Sequence, residues 1–197
     1  MNYPKFFDEV ESIVLQDKLS SFLGTFDGGE VEFSYLDVVK QAGHSCPTVA
    51  GAYLMVLEGL KALYPDEIAQ RGEIEVEFKE SLEDGVAGVI ANVVTHITGA
   101  TQKSGFKGIG GNFARHSLMK FDAPINSSMR LTRKDNGKSV EIIYDPSSVA
   151  PNPQMGMLMN KIMGGEASME DRVAFGKFWQ ERVEKIFNSI SEVITIK

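Results

Sequence analysis

Residues 49–63 constrain the fold most, because they form an almost uninterrupted apolar run between two prolines. Pro47 stands at the first-turn position that proline tolerates best in a helix, and Pro65 lies beyond the end of the run. Gly51 and Ala52 would allow a neighbouring element to approach closely. The run therefore predicts a helix that is buried on most sides and wrapped by other elements.

Three further stretches have the apolar spacing of amphipathic helices. The first predicted helix contains the spaced apolar residues Phe6, Phe7, Val10, Ile13 and Val14. The second begins at a box formed by Ser34 and Asp37 and ends at Gly43, and the third carries apolar residues from Val86 to Ile97 and ends near Gly99.

Strict alternation over residues 73–79 predicts a strand with one solvent-facing side. Residues 115–121 and 129–133 are also expected as strands, and the turn residues Asp135, Asn136 and Gly137 lead into a hairpin partner over residues 139–144. The first strand, with this hairpin, predicts a mixed or antiparallel sheet.

The C-terminal part predicts two helices, one methionine-dense around residues 155–163 and one from 169 to about 189, followed by a short strand over 191–197. The predicted fold class is therefore α+β, a mixed or antiparallel sheet packed with helices, with a helical C-terminal extension. No repeat or linker divides the chain, so we expect one domain over residues 1–197, with a core at about 30–145 and C-terminal helices at 153–189.

Composition excludes several classes of partner. The 197 residues are 43% hydrophobic, which suffices for a sizeable core, and the formal net charge is -7. Without a cluster of Lys and Arg, no nucleic-acid partner is expected. The N-terminal residues place acids in every turn and lack an unbroken apolar stretch, so we expect no secretory signal, no membrane partner and a cytoplasmic location.

The short stretch from Gly43 to Pro47 reads Gly-His-Ser-Cys-Pro and contains the only cysteine and one of three histidines. Cys46 lies where a helix begins, and free backbone N–H groups and the helix dipole stabilise a thiolate there. His44 and Cys46 are therefore candidate metal ligands, although a packed cysteine and a locally hydrogen-bonded histidine would produce the same sequence.

A glycine-rich stretch at residues 105–111 invites comparison with phosphate-binding loops. It lacks the following Lys-Ser or Lys-Thr pair, and its glycine spacing differs from the dinucleotide fingerprint. An ordered turn is the expected structure of this stretch.

The order of these elements resembles the family of the E subunits of formylmethanofuran dehydrogenase over roughly residues 30–145. The family marker is a Gly-His-x-Cys-Pro junction before a helix, followed by a Thr-Gly-Cys-Thr turn and a Lys/Gly-rich loop. Here the junction is Gly43 to Pro47, the turn reads Thr-Gly-Ala-Thr at residues 98–101, and the loop spans 103–112. The resemblance implies a mixed α/β core, a homodimer and a transition metal at the junction of His44 and Cys46.

Two departures limit what the resemblance implies. Ala100 replaces the second cysteine of the family pattern, and no cysteine follows Cys46 to form the zinc-ribbon tail of many members. The sequence thus resembles a stand-alone member that lacks the C-terminal zinc ribbon. The resemblance implies no intrinsic formylmethanofuran chemistry, because the molybdenum or tungsten centre of such enzymes belongs to other subunits, and the biochemical role stays unassigned. His96 lies one helical turn before Ala100, and His116 follows the glycine-rich loop, so each is a candidate replacement ligand.

Convergence of His44, Cys46, His96 and His116 would give a mixed nitrogen and sulfur set that suits zinc and tolerates iron, nickel or copper. Three protein ligands would leave one position open for water or a small-molecule ligand, whereas four would form a structural site.

Two alternatives remain open from the sequence. In the first, the protein binds haem or another tetrapyrrole through His44 or Cys46 as axial ligand, under the methionines of residues 155–163, although helix packing explains those methionines equally well. In the second, Cys46 is a nucleophile assisted by a histidine. No signature of a cysteine hydrolase supports the second alternative.

Overall fold

The computed structural model describes residues 2–197, so Met1 of the predicted domain lies outside the described residues. The α-helices are α1 Lys18–Leu23, α2 Tyr35–Ala42, α3 Pro47–Leu63, α4 Ala87–Thr98, α5 Met155–Met163, α6 Met169–Asn188 and α7 Ile190–Val193. The strands are β1 Ile13–Gln16, β2 Glu30–Phe33, β3 Ala69–Gln70, β4 Ile74–Phe78, β5 Met119–Lys120, β6 Met129–Arg133, β7 Ser139–Tyr144 and β8 Ile194–Ile196. Helices packed on sheets confirm the predicted α+β class.

The strands form one larger and one smaller sheet. The larger has the order β5-β4-β6-β7-β8, in which β5 runs parallel to β4 and the other neighbours are antiparallel. The smaller has the order β2-β1-β3, with β1 antiparallel to β2 and parallel to β3. Both sheets are therefore mixed. The larger contains the alternating strand and the hairpin predicted from the sequence, whereas the smaller sheet was not predicted.

Helix α3 is the centre of the core. Twelve of its 17 residues are buried, and it contacts β6, β7 and β8 as well as α2, α4 and α6. The Tyr144 ring lies directly over Gly51, and Leu131 and Ile142 approach Gly59, so larger side chains at these two glycines would collide with the sheet. The prediction of a helix buried on most sides is confirmed.

The prediction of an N-terminal helix with apolar residues from Phe6 to Val14 is wrong. A short 3₁₀ helix spans Lys5–Asp8, and Ile13 and Val14 belong instead to β1, which pairs with β2. Ile13 and Leu15 are buried while Val14 is exposed, which is the alternation of a strand. Helical spacing of the apolar residues was therefore a poor guide here, because sheet pairing decided the conformation.

A strand was predicted over residues 115–121, but the structure has only the two-residue strand β5, Met119–Lys120. Ser117 has a φ of 59° and so leaves the extended conformation that a strand requires. The glycine-rich stretch forms an ordered turn, as expected, in which Ile109 and Asn112 exchange backbone hydrogen bonds.

The C-terminal helices α5 and α6 have the predicted bounds to within one residue, and the last strand is shortened by the helical turn α7. Leu158 is the buried residue of α5, whereas Met157, Met163 and Met169 are strongly exposed. Among residues 2–197, no helix combines the length and the apolar character of a membrane span. The predicted homodimer and cytoplasmic location stay predictions.

Candidate functional site

The His-Ser-Cys-Pro turn joins α2 to α3, and local sequence explains both of its boundaries. A capping box of Ser34 and Asp37 starts α2, and Gly43 ends it with a φ of 77°, a conformation that favours glycine. Cys46 is the N-cap of α3, and Pro47 follows as its first residue. The boundaries predicted from sequence are confirmed.

Cys46 is buried, with 8% of its surface exposed, and its sulfur accepts a hydrogen bond from the Val49 N–H at 3.4 Å. The first turn of α3 carries no acidic residue. The sulfur therefore caps the first turn of α3, where no carboxylate competes for the free backbone N–H groups.

His44 is exposed, and its Nδ1 lies 3.1 Å from the carbonyl oxygen of Ala42. With its proton on Nδ1, the ring donates a hydrogen bond to that carbonyl and keeps the lone pair on Nε2. Histidines that bind metals use this arrangement, in which a carbonyl fixes the tautomer and the other nitrogen faces the ion.

Distant residues hold the backbone of the turn. The carbonyl of Ser45 accepts hydrogen bonds from Trp179 Nε1 at 3.0 Å and from Gln180 Nε2 at 3.3 Å. The Tyr144 hydroxyl donates to the carbonyl of Pro47 at 2.7 Å. Trp179 is 134 residues from Ser45, and no signal in the sequence of the turn identified these partners.

Tyrosine hydroxyls complete the surroundings of the turn. The Tyr35 hydroxyl lies 2.9 Å from the Ser45 hydroxyl, and Tyr35 itself is fully buried. Burial raises the pKa of Tyr35 and of Tyr144 well above the usual range. Both hydroxyls therefore keep their protons and remain hydrogen-bond donors at neutral pH.

His96 lies in a different environment at the other end of α2. Its ring stands edge-on to Phe33 at 5.3 Å, next to the residue that caps the start of α2, and its Nε2 is buried without a hydrogen-bond partner in residues 2–197. Burial lowers the pKa of His96, and the nearby charge of Arg71 lowers it further. The imidazole is therefore held neutral.

His116 is half-buried after the glycine-rich loop, and its Nδ1 lies 2.9 Å from the hydroxyl of Ser117. The preceding Arg115 is buried and donates to the carboxylate of Asp17 at 2.7 Å. Arg71 donates to the other oxygen of that carboxylate at 3.0 Å. This ionic network, Asp17 with Arg71 and Arg115, was not identified from the sequence.

The structure does not gather the four candidate ligands. Over residues 2–197, no group of three or more His, Cys, Asp or Glu side chains is arranged to hold a metal ion. His44 follows the C-terminal end of α2 and His96 faces its N-terminal end, and these ends are separated by an eight-residue helix about 12 Å long. The turn therefore supplies at most two side-chain ligands, His44 and Cys46.

Within residues 2–197, the contacts around the turn support neither the haem alternative nor the alternative of a nucleophilic Cys46. Met155 and Met159 line a cavity of about 220 Å³ with Pro47 and Trp179, while Met157 and Met163 are exposed side chains outside its lining. The hydrogen bond at the Cys46 sulfur comes from the backbone of α3 rather than from a histidine. A haem pocket and a histidine-activated thiol both stay hypotheses.

The fold and the turn together define a class, an α+β protein in which a His-Ser-Cys-Pro turn opens a buried central helix and is held by a distant C-terminal helix. The family model described as "FmdE, Molybdenum formylmethanofuran dehydrogenase operon" matches residues 42–195. The chain belongs to the FmdE family. The matched range includes both the turn and the part of α6 that holds it, and no curated protein matches the chain.

Proposed function

We propose that this member of the FmdE family binds a transition-metal ion, zinc in the first place, through His44 Nε2 and Cys46 Sγ. The observation that carries the proposal is the contact between His44 Nδ1 and the Ala42 carbonyl, because it fixes the tautomer that leaves Nε2 available. The biochemical role beyond metal binding stays unassigned.

The chemistry of the donors suits this ion. One imidazole nitrogen and one thiolate form a mixed set that zinc accepts readily, and iron, nickel or copper would also bind it. A metal would bind Cys46 as its thiolate, and the first turn of α3 places no carboxylate beside that charge.

The coordination would be open. Because the turn supplies two side-chain ligands, water or a small molecule would occupy the remaining positions of a tetrahedral ion. A bound ion of this kind supplies Lewis-acid chemistry and lowers the pKa of a bound water. The protein's own contribution is to hold the backbone of the turn through Trp179, Gln180 and Tyr144.

His96 and His116 are not ligands of the proposed ion. The imidazole of His96 packs against Phe33, and the guanidinium of Arg71 lies over the same phenyl ring. A cation placed at His96 would therefore be repelled by the charge of Arg71.

Zinc titration against a competing chelator tests the proposal, using protein purified without an affinity tag. We expect Cys46→Ser and His44→Ala each to weaken zinc binding by more than about 100-fold, the upper end for loss of an outer-shell partner. Serine is a preferred N-cap residue, so Cys46→Ser keeps the start of α3 intact. Thermal unfolding of each variant verifies that the fold is retained.

His96→Ala and His116→Ala are the matched controls, and we expect both to bind zinc as tightly as the parent. Unchanged binding by Cys46→Ser would refute the proposal. A loss with His96→Ala that equals the loss with Cys46→Ser would show that His96 is a ligand after all.

A further inference from the structure

A cavity of about 490 Å³ lies between α3, α4 and the larger sheet. Thr48 lines it from α3, two residues after Cys46, and Tyr144 lines it from β7. Its volume falls within the range of small-molecule sites in proteins. It is separate from the donors of the proposed metal site, because neither His44 nor Cys46 lines it.

The inner wall of this cavity is apolar. Met55 and Phe78 are buried core residues that face it, and Ile90 and Ile143 extend the same surface from α4 and β7. Covering this wall with apolar ligand surface removes both surfaces from water, which favours binding. The ligand therefore has an apolar body.

Hydrogen-bonding groups face the cavity from a single loop and from the start of α3. Asn126, Ser127 and Ser128 line it together with Thr48. Ser127 is 2% exposed, and its hydroxyl has only a long hydrogen bond, 3.4 Å, to the Met129 carbonyl. The Ser127 hydroxyl can therefore give up that weak hydrogen bond and donate a stronger one to a polar ligand head.

The charges around the cavity favour a negative head. Lys79 lines the cavity and takes part in no ion pair within residues 2–197. Two helices, α3 and α4, begin at its wall, and neither has an acidic residue in its first turn. Among the residues that line the cavity, Glu80, which is exposed like Lys79, carries the opposing charge.

We propose that this cavity binds a small amphipathic carboxylate, with its apolar body against Met55 and Phe78 and its head group near Lys79 and the Ser127 hydroxyl. The ammonium of Lys79 would form a charge-assisted hydrogen bond with the carboxylate, and such bonds are about twice as strong as neutral ones. The donors of the metal proposed at the turn, His44 and Cys46, do not line this site.

Calorimetric titration of the full chain with octanoate, 1-octanol and octylamine tests the proposal, because these probes share one apolar chain and differ in head charge. We expect octanoate to bind about tenfold more tightly than 1-octanol, the factor that corresponds to about 1.4 kcal/mol, and octylamine to bind more weakly than either. No binding of octanoate would overturn the proposal, as would octylamine binding as tightly as octanoate.

Substitutions of residues that line the cavity test whether the probes bind there. Lys79→Met keeps an unbranched side chain of similar length but removes the ammonium, so it should weaken octanoate binding about tenfold and leave 1-octanol binding unchanged. Lys138→Met, in the turn between β6 and β7, is the matched control and should change neither. Asn126→Phe, at an exposed wall position, should weaken both probes by filling the cavity. Octanoate binding that survives both Lys79→Met and Asn126→Phe would overturn the assignment.

Discussion

The two ends of α2 each place a histidine beside a helix terminus, yet the two imidazoles have opposite surroundings. At the C-terminal end, His44 is exposed, and the Ala42 carbonyl leaves its Nε2 free. At the N-terminal end, His96 has its Nε2 buried against apolar surface and close to the guanidinium of Arg71. The sequence made both residues candidate ligands, but only His44 has an exposed ring with its Nε2 away from a neighbouring positive charge in the described contacts.

The two ends are also held by different kinds of interaction. Neutral hydrogen bonds from Trp179, Gln180 and Tyr144 hold the turn that contains His44. Near His96, the ionic network of Asp17, Arg71 and Arg115 ties α1 to the end of α4 through the carbonyls of His96 and Ile97. Substitutions in the ionic network should therefore mainly lower the free energy of unfolding, whereas substitutions among the donors to the turn should also expose Cys46.

Asp17→Asn should have the largest effect on stability. Burial alone would raise the pKa of Asp17, but hydrogen bonds from Arg71 and the Ser20 N–H, with the charges of both arginines, outweigh it and lower the pKa. The substitution leaves Arg115 buried beside a neutral amide, so we expect a loss of about 3 kcal/mol, the lower end for breaking a buried ion pair. Urea denaturation measures this loss.

Asp27→Asn, at an exposed position, is the control for that substitution and should change stability little. A loss below about 1 kcal/mol for Asp17→Asn would mean that the network behaves like a surface ion pair. Zinc affinity should be the same in Asp17→Asn as in the parent, because the network lies at the end of α2 away from Cys46.

Trp179→Phe should have an intermediate effect. The variant keeps an aromatic ring but loses the hydrogen bond to the Ser45 carbonyl, for which we expect about 1 kcal/mol of lost stability. Because that bond holds the turn, alkylation of Cys46 by iodoacetamide should become faster than in the parent. Equal stability and an equal alkylation rate would show that Gln180, the second donor to the same carbonyl, holds the turn alone.

The smallest expected effect is the contribution of His96 to the pH dependence of stability. The pKa of His96 is lower in the folded protein than its ordinary value of 6.5, so the unfolded chain binds more protons as the pH falls. Its contribution is therefore present above pH 6.5 and is lost as the pH falls through the folded-state pKa.

Urea midpoints at pH 7.5 and pH 5.5 measure this contribution. His96→Gln should reduce the loss of stability on acidification relative to the parent. An identical loss in His96→Gln and the parent would mean that the ring is solvated well enough to take up its proton in the folded state.

Short-range patterns determined much of this protein by themselves. The prolines and apolar run defined α3, Ser34 with Asp37 and Gly43 defined α2, and strict alternation defined β4. Capping, proline geometry and strand alternation act between residues a few positions apart, so the sequence contains them directly. The His-x-Cys-Pro turn and its place in the FmdE family were predictable for the same reason.

The tertiary structure alone decided the rest. Ile13 and Val14 had helical spacing but became a strand because β2 was available to pair with them. Helix geometry predicted His96 one turn before Ala100 on the same face, but α4 ends at Thr98, and burial with the charge of distant Arg71 lowers the pKa of His96. Trp179 reaches Ser45 across 134 residues. Such contacts depend on how whole elements pack, and packing of this kind leaves no periodic signal in the sequence.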